Sequence, residues 1–312
     1  MVRILLFGAS GFIGRAVRVV LAEHFTVVAP SRRECDLVAL DRADLIAFMR
    51  RVRPDAVVNC AGRIVGTAAQ FIEAHTLVTA KLIEGVEAVS PRTRLVRIGS
   101  AAEYGIIPYG GDAAETDPAH PVSEYGISQL AATDLVRLAA GRPQVDAVVL
   151  RVFNPVGPGS PHGTVLGRAA DLLKAASASG AGQIELGLSD AHRDFVDVRD
   201  VAGAVLAALR ADRLPAPVFN VGSGRAVAVR EAVEMLARQA GFTGHIVDGL
   251  RSPAAERSAA VPWTRADISR AADALGWSPR HSLADSLAGL WAGRLGAPAA
   301  PNDTLAFESV TS

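Results

Sequence analysis

After an apolar N-terminal run, the chain reads Gly8-Ala9-Ser10-Gly11-Phe12-Ile13-Gly14 and then passes into a helical pattern. Glycines at this spacing let the backbone turn tightly and approach a pyrophosphate, which the first N–H groups of the following helix attract. A glycine-rich turn is weak evidence alone. Its place directly behind a first strand favours a dinucleotide site over an ordinary turn. A second group follows the next apolar run, where the sequence is Ala29-Pro30-Ser31-Arg32-Arg33-Glu34. An acidic residue closing that strand would hold the ribose 2′-hydroxyl of NAD. Ser31, Arg32 and Arg33 instead suit a 2′-phosphate through charge-assisted hydrogen bonds, so NADP(H) is expected over NAD(H).

Other chemistries find little support. Cys35 and Cys60 are the only cysteines, too few for a disulfide framework, and they read as reduced thiols of a cytoplasmic protein. No His/Cys/Asp group has metal-ligand spacing and no Gly-x-Ser-x-Gly elbow occurs, so no metal site is expected. The 32 Lys and Arg balance the 32 Asp and Glu, which gives no footprint for nucleic acid or an anionic membrane. Mean hydropathy is high at +0.25, yet the uncharged stretch Val152–Gly167 is broken by Pro155, Gly157, Pro158 and Gly159, and no membrane span is expected.

These groups need a scaffold, and the first half of the chain supplies a regular one. Short apolar runs at 2–7, 25–29, 55–60, 93–98 and 145–150 read as buried strands. Helical patterns over 13–22, 43–52, 68–89 and 123–140 alternate with them. Continuous apolar strands joined by helices predict an α/β fold, a doubly wound parallel sheet covered on both faces. Beyond Arg151 the texture becomes irregular and richer in Gly and Pro, which predicts a smaller C-terminal lobe. The expected organisation is a dinucleotide-binding domain over 1–155, with elements around 193–223 returning to it. A substrate lobe is expected over 156–192 and 224–294, and a disordered tail over 295–312.

Several blocks, in order, carry a resemblance: the glycine turn with GxxGxxG spacing, Asn59-Cys60-Ala61-Gly62, Ser100-Ala101-Ala102-Glu103-Tyr104-Gly105 and Tyr125-Gly126-Ile127-Ser128-Gln129. Further blocks are Arg151 to Gly159, Arg193 to Asp200, Asn220 to Gly224 and Leu275 to Pro279. Together they resemble the extended short-chain dehydrogenase/reductase family, and within it the nucleotide-sugar 4-keto reductases. The resemblance implies a Rossmann sheet and places Ser100 and Tyr125 as the catalytic hydroxyl and proton donor, with Gln129 at the usual lysine position. It puts Gly8, Ser10, Gly11, Phe12, Ile13, Gly14, Asp36, Leu37, Cys60, Ala61 and Gly62 around the cofactor. Asn154 is expected to face the cleft, and Arg193 and Arg257 to lie near a substrate diphosphate. His75, at a position where asparagine is common, reads as a structural histidine. The long helices over 68–89 and 123–140, with Leu77, Leu82, Ile83, Leu130 and Leu135, are expected to pair two copies in a homodimer.

Reduction of a sugar carbonyl needs a proton donor and a hydroxyl that holds the developing oxyanion. The family's lysine bonds the nicotinamide ribose and lowers the tyrosine pKa. A glutamine keeps the hydrogen bonding but carries no charge. Without a cation the phenol is expected to stay protonated at neutral pH, which suits ketone reduction over alcohol oxidation. The expected function is therefore NADP(H)-dependent reduction of a nucleotide-activated 4-keto-6-deoxy sugar. An epimerase or dehydratase with tightly held NAD(P) is an alternative, although Ala101-Ala102 lack the acidic residue a common dehydratase wants. A silent NAD(P)-binding sensor is another.

Overall fold

In a computed structural model of the chain, the described residues are 2–90, 93–249 and 260–296. The core is a six-stranded parallel sheet built from β1 (Arg3–Phe7), β2 (Thr26–Val28), β3 (Ala56–Asn59), β4 (Arg94–Ser100), β5 (Asp146–Val152) and β9 (Val218–Val221). Their order is β2-β1-β3-β4-β5-β9, so the chain winds outward in both directions from the first strand, as a doubly wound fold must.

Strand alternation sends successive side chains to opposite faces. Ile4, Leu6, Val58, Val96, Val148 and Leu150 pack beneath α1 (Phe12–Ala22) and α7 (Val198–Arg210). Leu5, Phe7, Val57, Leu95 and Val149 pack beneath α2 (Arg42–Val52), α4 (Val78–Val89) and α5 (Glu124–Ala140). Full burial of each such side chain stabilises by roughly 1.5–3 kcal/mol, which explains why these strands are apolar on both faces.

The single helix expected over 68–89 is interrupted. It begins as α3 (Ala68–Phe71) under a Thr67–Gln70 capping box, widens into a π-helical segment (Ile72–Leu77), and continues as α4. Such widened turns in proteins often mark functional sites. Here the segment carries His75, which is only 3% exposed.

The return expected over 193–223 divides. α7 and β9 join the main sheet, whereas β8 (His192–Asp197) pairs with β6 (Asn154–Val156) and β10 (Ala226–Ala228) in a separate three-stranded sheet. A second core gathers α6 (Val165–Ser179), α8 (Val229–Gln239), the helix Leu283–Leu295 and the parallel pair β7 (Gln183–Leu186) and β11 (His245–Asp248). The short helix Ser269–Leu275, expected within the outer lobe, instead puts Ala271 into the core of the main sheet, next to Trp277. Of the tail expected over 295–312, Leu295 belongs to the last described helix, and 297–312 lie outside the described residues.

The apolar residues expected to pair two copies also need correcting. Leu82 and Ile83 belong to the core beneath the sheet, while Leu77 is 51% exposed. No helix among the described residues is long and apolar enough to cross a membrane.

Candidate active site

The glycine turn connects β1 to α1. Gly8 has φ +76°, and a Cβ there would lie 2.5 Å from the backbone nitrogen of Ala61, so only glycine lets the turn rest against the end of β3. Gly14 lets the helix pass the turn, since a Cβ would meet the Gly8 carbonyl oxygen at 2.0 Å. Gly11 caps α1 with no side-chain oxygen. The first-turn N–H groups are thus not capped by that residue, which fits the pyrophosphate of a dinucleotide. Beside this turn, Asn59 closes β3 and its Oδ1 accepts the Ala61 N–H at 3.0 Å, shaping the Cys60-Ala61-Gly62 wall. Burial pushes the Cys60 thiol up to about 12, which leaves it a neutral, weakly polar wall residue.

Ser100 is the last residue of β4. Its Oγ accepts the Ala102 N–H at 3.2 Å, and its own N–H donates to Glu103 Oε1 at 3.1 Å, a reciprocal cap on the 3₁₀ turn Ala101–Glu103. The other Glu103 oxygen accepts from Arg151 Nε at 2.7 Å, and both side chains are wholly buried. Arg151 in turn lies 4.6 Å over the Tyr104 ring. A buried ion pair therefore fixes the loop that aims Ser100.

Tyr125 reaches Ser100 because α5 packs hard against the same turn. Ser123 caps the helix by accepting the Gly126 N–H at 3.1 Å. A Cβ on Gly126 would lie 2.5 Å from the Ala102 carbonyl oxygen. Burial raises the Tyr125 phenol above its ordinary value, while the Ser100 hydroxyl, the Arg97 charge and the Gln129 amide pull it back down. Gln129 follows Tyr125 by one helical turn and is 6% exposed.

The structure corrects the expectation that no cation serves this site. Arg97, on β4 and 2% exposed, donates from Nη2 to Gln129 Oε1 at 2.5 Å, from Nε to Thr79 Oγ1 at 3.0 Å and from Nη1 to Thr133 Oγ1 at 3.4 Å. Sequence reasoning missed it because an arginine inside an apolar strand carries no motif. A charged residue at a core position of a buried strand is the signal that would have found it.

His75 sits between these elements. Its ring is edge-on to Tyr125 with centroids 5.4 Å apart, and Nδ1 lies 2.9 Å from Ser128 Oγ. Because Nε2 accepts the Arg63 N–H at 3.3 Å, the proton belongs on Nδ1 and is donated to Ser128. Ser128 then donates to the Tyr125 carbonyl at 2.8 Å. Burial, and next the charge of Arg97, hold His75 down at about 4, so it is neutral at pH 7. It orients the backbone of Tyr125 and, kept neutral, does not serve as an acid.

One cleft of about 750 Å³, within the range of small-molecule sites, gathers most of the expected residues. Gly11, Phe12, Ile13, Cys60, Ala61 and Gly62 line one end; Ser100, Tyr125 and Gln129 line the middle; Asn154 and Arg193 line the far wall. Asn154 Nδ2 donates to the Asp194 carbonyl at 3.1 Å. Arg193 is 4% exposed, and burial lowers it only to about 10, so it stays a cation. The Thr264 hydroxyl, also in the wall and not foreseen, is buried without a hydrogen-bond partner among the described residues.

Gly8, Ser10, Gly14, Ser31, Arg32, Arg33, Asp36 and Leu37 do not line this cleft. Arg32 is largely exposed and pairs with Asp36 at 3.2 Å, while Asp36 Oδ1 also accepts the Val38 N–H at 3.0 Å. Leu37 is buried in the core beneath the sheet. Arg257 lies outside the described residues.

A parallel sheet with a glycine-turn dinucleotide site and a Ser/Tyr pair at its carboxyl edge defines an NAD(P)-dependent enzyme. The sequence model of the NAD dependent epimerase/dehydratase family matches residues 4–222, and the chain belongs to that family. Among its relatives, dTDP-6-deoxy-L-talose 4-dehydrogenase (NAD(P)(+)) of Kitasatospora kifunensis is 39% identical, over 96% of this chain and 97% of that one. GDP-6-deoxy-D-mannose reductase of Pseudomonas aeruginosa is 30% identical, over 91% and 94%. Of solved structures, RMD from Pseudomonas aeruginosa complexed with NADPH superimposes with a TM-score of 0.82 at 28% identity, covering 94% of this chain and 99% of that one. MoeE5 in complex with UDP-glucuronic acid and NAD gives 0.80 at 27%, covering 94% and 99%. The chain thus stands among NAD(P)-dependent enzymes that modify nucleotide-linked sugars.

Proposed function

We propose that the protein reduces the 4-keto group of a nucleotide-activated 6-deoxy sugar with NADPH. The observation that carries this reading is the Ser100–Tyr125 pair at the centre of one cleft, with the glycine turn at one end and the buried cation Arg193 at the other. The two relatives named above are a 4-dehydrogenase and a reductase of nucleotide-linked 6-deoxy sugars, which supports the same substrate class.

When bound, the nicotinamide supplies the hydride. The rest falls to the chain. Gly8, Ser10, Gly11, Phe12, Ile13 and Gly14 hold the pyrophosphate side, and Cys60, Ala61 and Gly62 shape the nicotinamide wall. Ser31, Arg32 and Arg33 hold a 2′-phosphate, with Asp36 and Leu37 on the adenine side. Ser100 donates to the substrate carbonyl, Tyr125 delivers the proton to the developing alkoxide, and Gln129 bonds the nicotinamide ribose. A phenol kept protonated by its buried setting is ready for that task. Asn154 contacts the sugar, and Arg193 pairs with the diphosphate through its guanidinium. Pairing of two copies through the helical run 68–89 and α5 rests on the exposed Leu77, Ile127 and Leu138.

The test is to mix purified protein with NADPH and a panel of nucleotide 4-ketosugars while following reduced-nicotinamide absorbance. Consumption with a 6-deoxy product is expected. Product without net consumption would move the assignment to epimerisation or dehydration. Tight binding with no product would make the protein a sensor.

A further inference from the structure

Gln129 leaves the family's lysine position uncharged, yet it does not stand alone. A guanidinium has only donors, so the amide face that meets Arg97 Nη2 at 2.5 Å must be the oxygen. With Oε1 held by Arg97, the amide nitrogen is the group of Gln129 left to donate, and a Gln129 side-chain hydrogen bond favours the ionised phenol of Tyr125. An ammonium would present the same hydrogen-bonding character. The charge is supplied one layer behind, by an arginine that two threonine hydroxyls hold in place and that lines the cleft with Ser100, Tyr125 and Gln129.

We propose that Arg97 and Gln129 together replace the family's single lysine: the amide donates toward the phenol and ribose, and the buried guanidinium supplies the positive charge that stabilises the Tyr125 phenolate. Arg97 is thus a positioning residue, acting on the phenol through the amide it orients and through its field. The proposal rests on Tyr125 being the proton-transfer group of the proposed function.

The charges facing Tyr125 are consistent with this. From β4 comes Arg97, from the 3₁₀ turn Glu103, from the π segment His75, and from the loop after β3 Arg63 beside His75. Behind Glu103 stands Arg151 on β5, wholly buried with it. His75 is neutral, so in the buried layer one carboxylate faces two guanidiniums. Glu103 makes its ion pair with Arg151 and also attracts the Arg97 charge, while the Arg97 hydrogen bonds go to the neutral oxygens of Thr79, Thr133 and Gln129, so the guanidinium charge is shared between Glu103 and the phenol. In a low-dielectric setting an opposite charge within about 4–6 Å lowers a pKa by roughly 1–3 units.

The test reads Tyr125 ionisation directly, by NMR of ring-labelled tyrosine, since the chain holds three tyrosines and Tyr125→Phe identifies the signal. No substrate is needed, so failure of the substrate assignment and failure of this inference are separable. Arg97→Gln is expected to raise the Tyr125 midpoint by at least about one pH unit, and Arg97→Lys to restore most of the shift. Gln129→Lys is expected to lower the midpoint by about one unit in the Arg97→Gln background. In the native chain it should move it by less than about 0.3 unit, because the new amine beside Arg97 is driven neutral. If Arg97→Gln does not fold, the single Gln129→Lys variant still decides. A full-unit fall there would show that the site lacked a cation and overturn the proposal, as would an unmoved midpoint in folded Arg97→Gln.

Discussion

Two sets of arginines lie in opposite environments. Arg97 and Arg151 lie on β4 and β5, at 2% and 0% exposure, and both are tied down by side-chain hydrogen bonds. Arg32 and Arg33 follow β2 on an exposed turn, and the Arg32 ion pair with Asp36 leaves the guanidinium side chain 79% exposed. Buried charges act at short range in a poorly polarisable medium, so they set proton affinities and hold catalytic loops before any ligand arrives. Exposed ones are screened and contribute little until a phosphate covers them. The sheet thus holds fixed charges in its interior, and under the proposed function the choice of cofactor falls to exposed charges that act only on binding.

The sharpest way to break that division is at the group the buried layer serves. Tyr125→Phe is expected to lower turnover about 10²–10⁴-fold in both directions while NADPH binding persists. Steady-state rates with a fluorescence titration of the cofactor check it, and near-normal activity would send the proton transfer elsewhere.

Next in size is the ion pair that aims Ser100. Glu103→Ala strands Arg151 in the core and releases the Ser100 N–H, which should destabilise the fold by about 3–5 kcal/mol in urea unfolding. Glu103→Leu combined with Arg151→Met should recover most of that loss, because apolar pairs replace buried ion pairs without leaving a lone charge. Activity should not return with it, since Ser100 remains unheld.

His75 gives a pH signature to the same interior. Its pKa falls from 6.5 in the unfolded chain to about 4 in the folded one, so the unfolded state binds the extra proton between those values. Stability should therefore decline as pH drops from about 6.5 toward about 4, by up to about 3 kcal/mol, and be retained above that window. His75→Asn should flatten this limb of the unfolding free energy against pH; an unchanged slope would mean another group titrates there.

The smallest effect belongs to the exposed pair. Arg32→Ala and Arg33→Ala should each weaken NADPH about tenfold by calorimetry and leave NADH within about twofold, because only the 2′-phosphate engages them. Stability should stay within about 0.5 kcal/mol. Equal losses for both cofactors would remove the basis for NADP(H) preference.

Much of the scaffold was legible in the chain. Apolar strands with period-two faces and helices between them dictate a covered parallel sheet, and β1, α1, β3, β4 and α5 fall within about two residues of their expected bounds. The helix α6 escaped notice because it follows a Gly- and Pro-rich stretch and about half of it is small Ala, Ser and Gly, and β6 and β10 are three residues each, too short to show a period. The π segment is equally silent, since widening one turn changes no residue type.

By itself the sequence determined the glycine turn behind the first strand, and through its family resemblance it pointed to Ser100, Tyr125 and Gln129, which the fold brings into one cleft. Their types and spacing are local properties, set by a turn that only glycine permits and by one helical turn between Tyr125 and Gln129. Tertiary structure alone decided what surrounds them. Arg97, Thr79, Gln129 and Thr133 come from three elements far apart in the chain, and β4, α4 and α5 converge so that the missing lysine charge arrives from a neighbouring strand. Electrostatic fields depend on distance in space, and no reading along one dimension contains it.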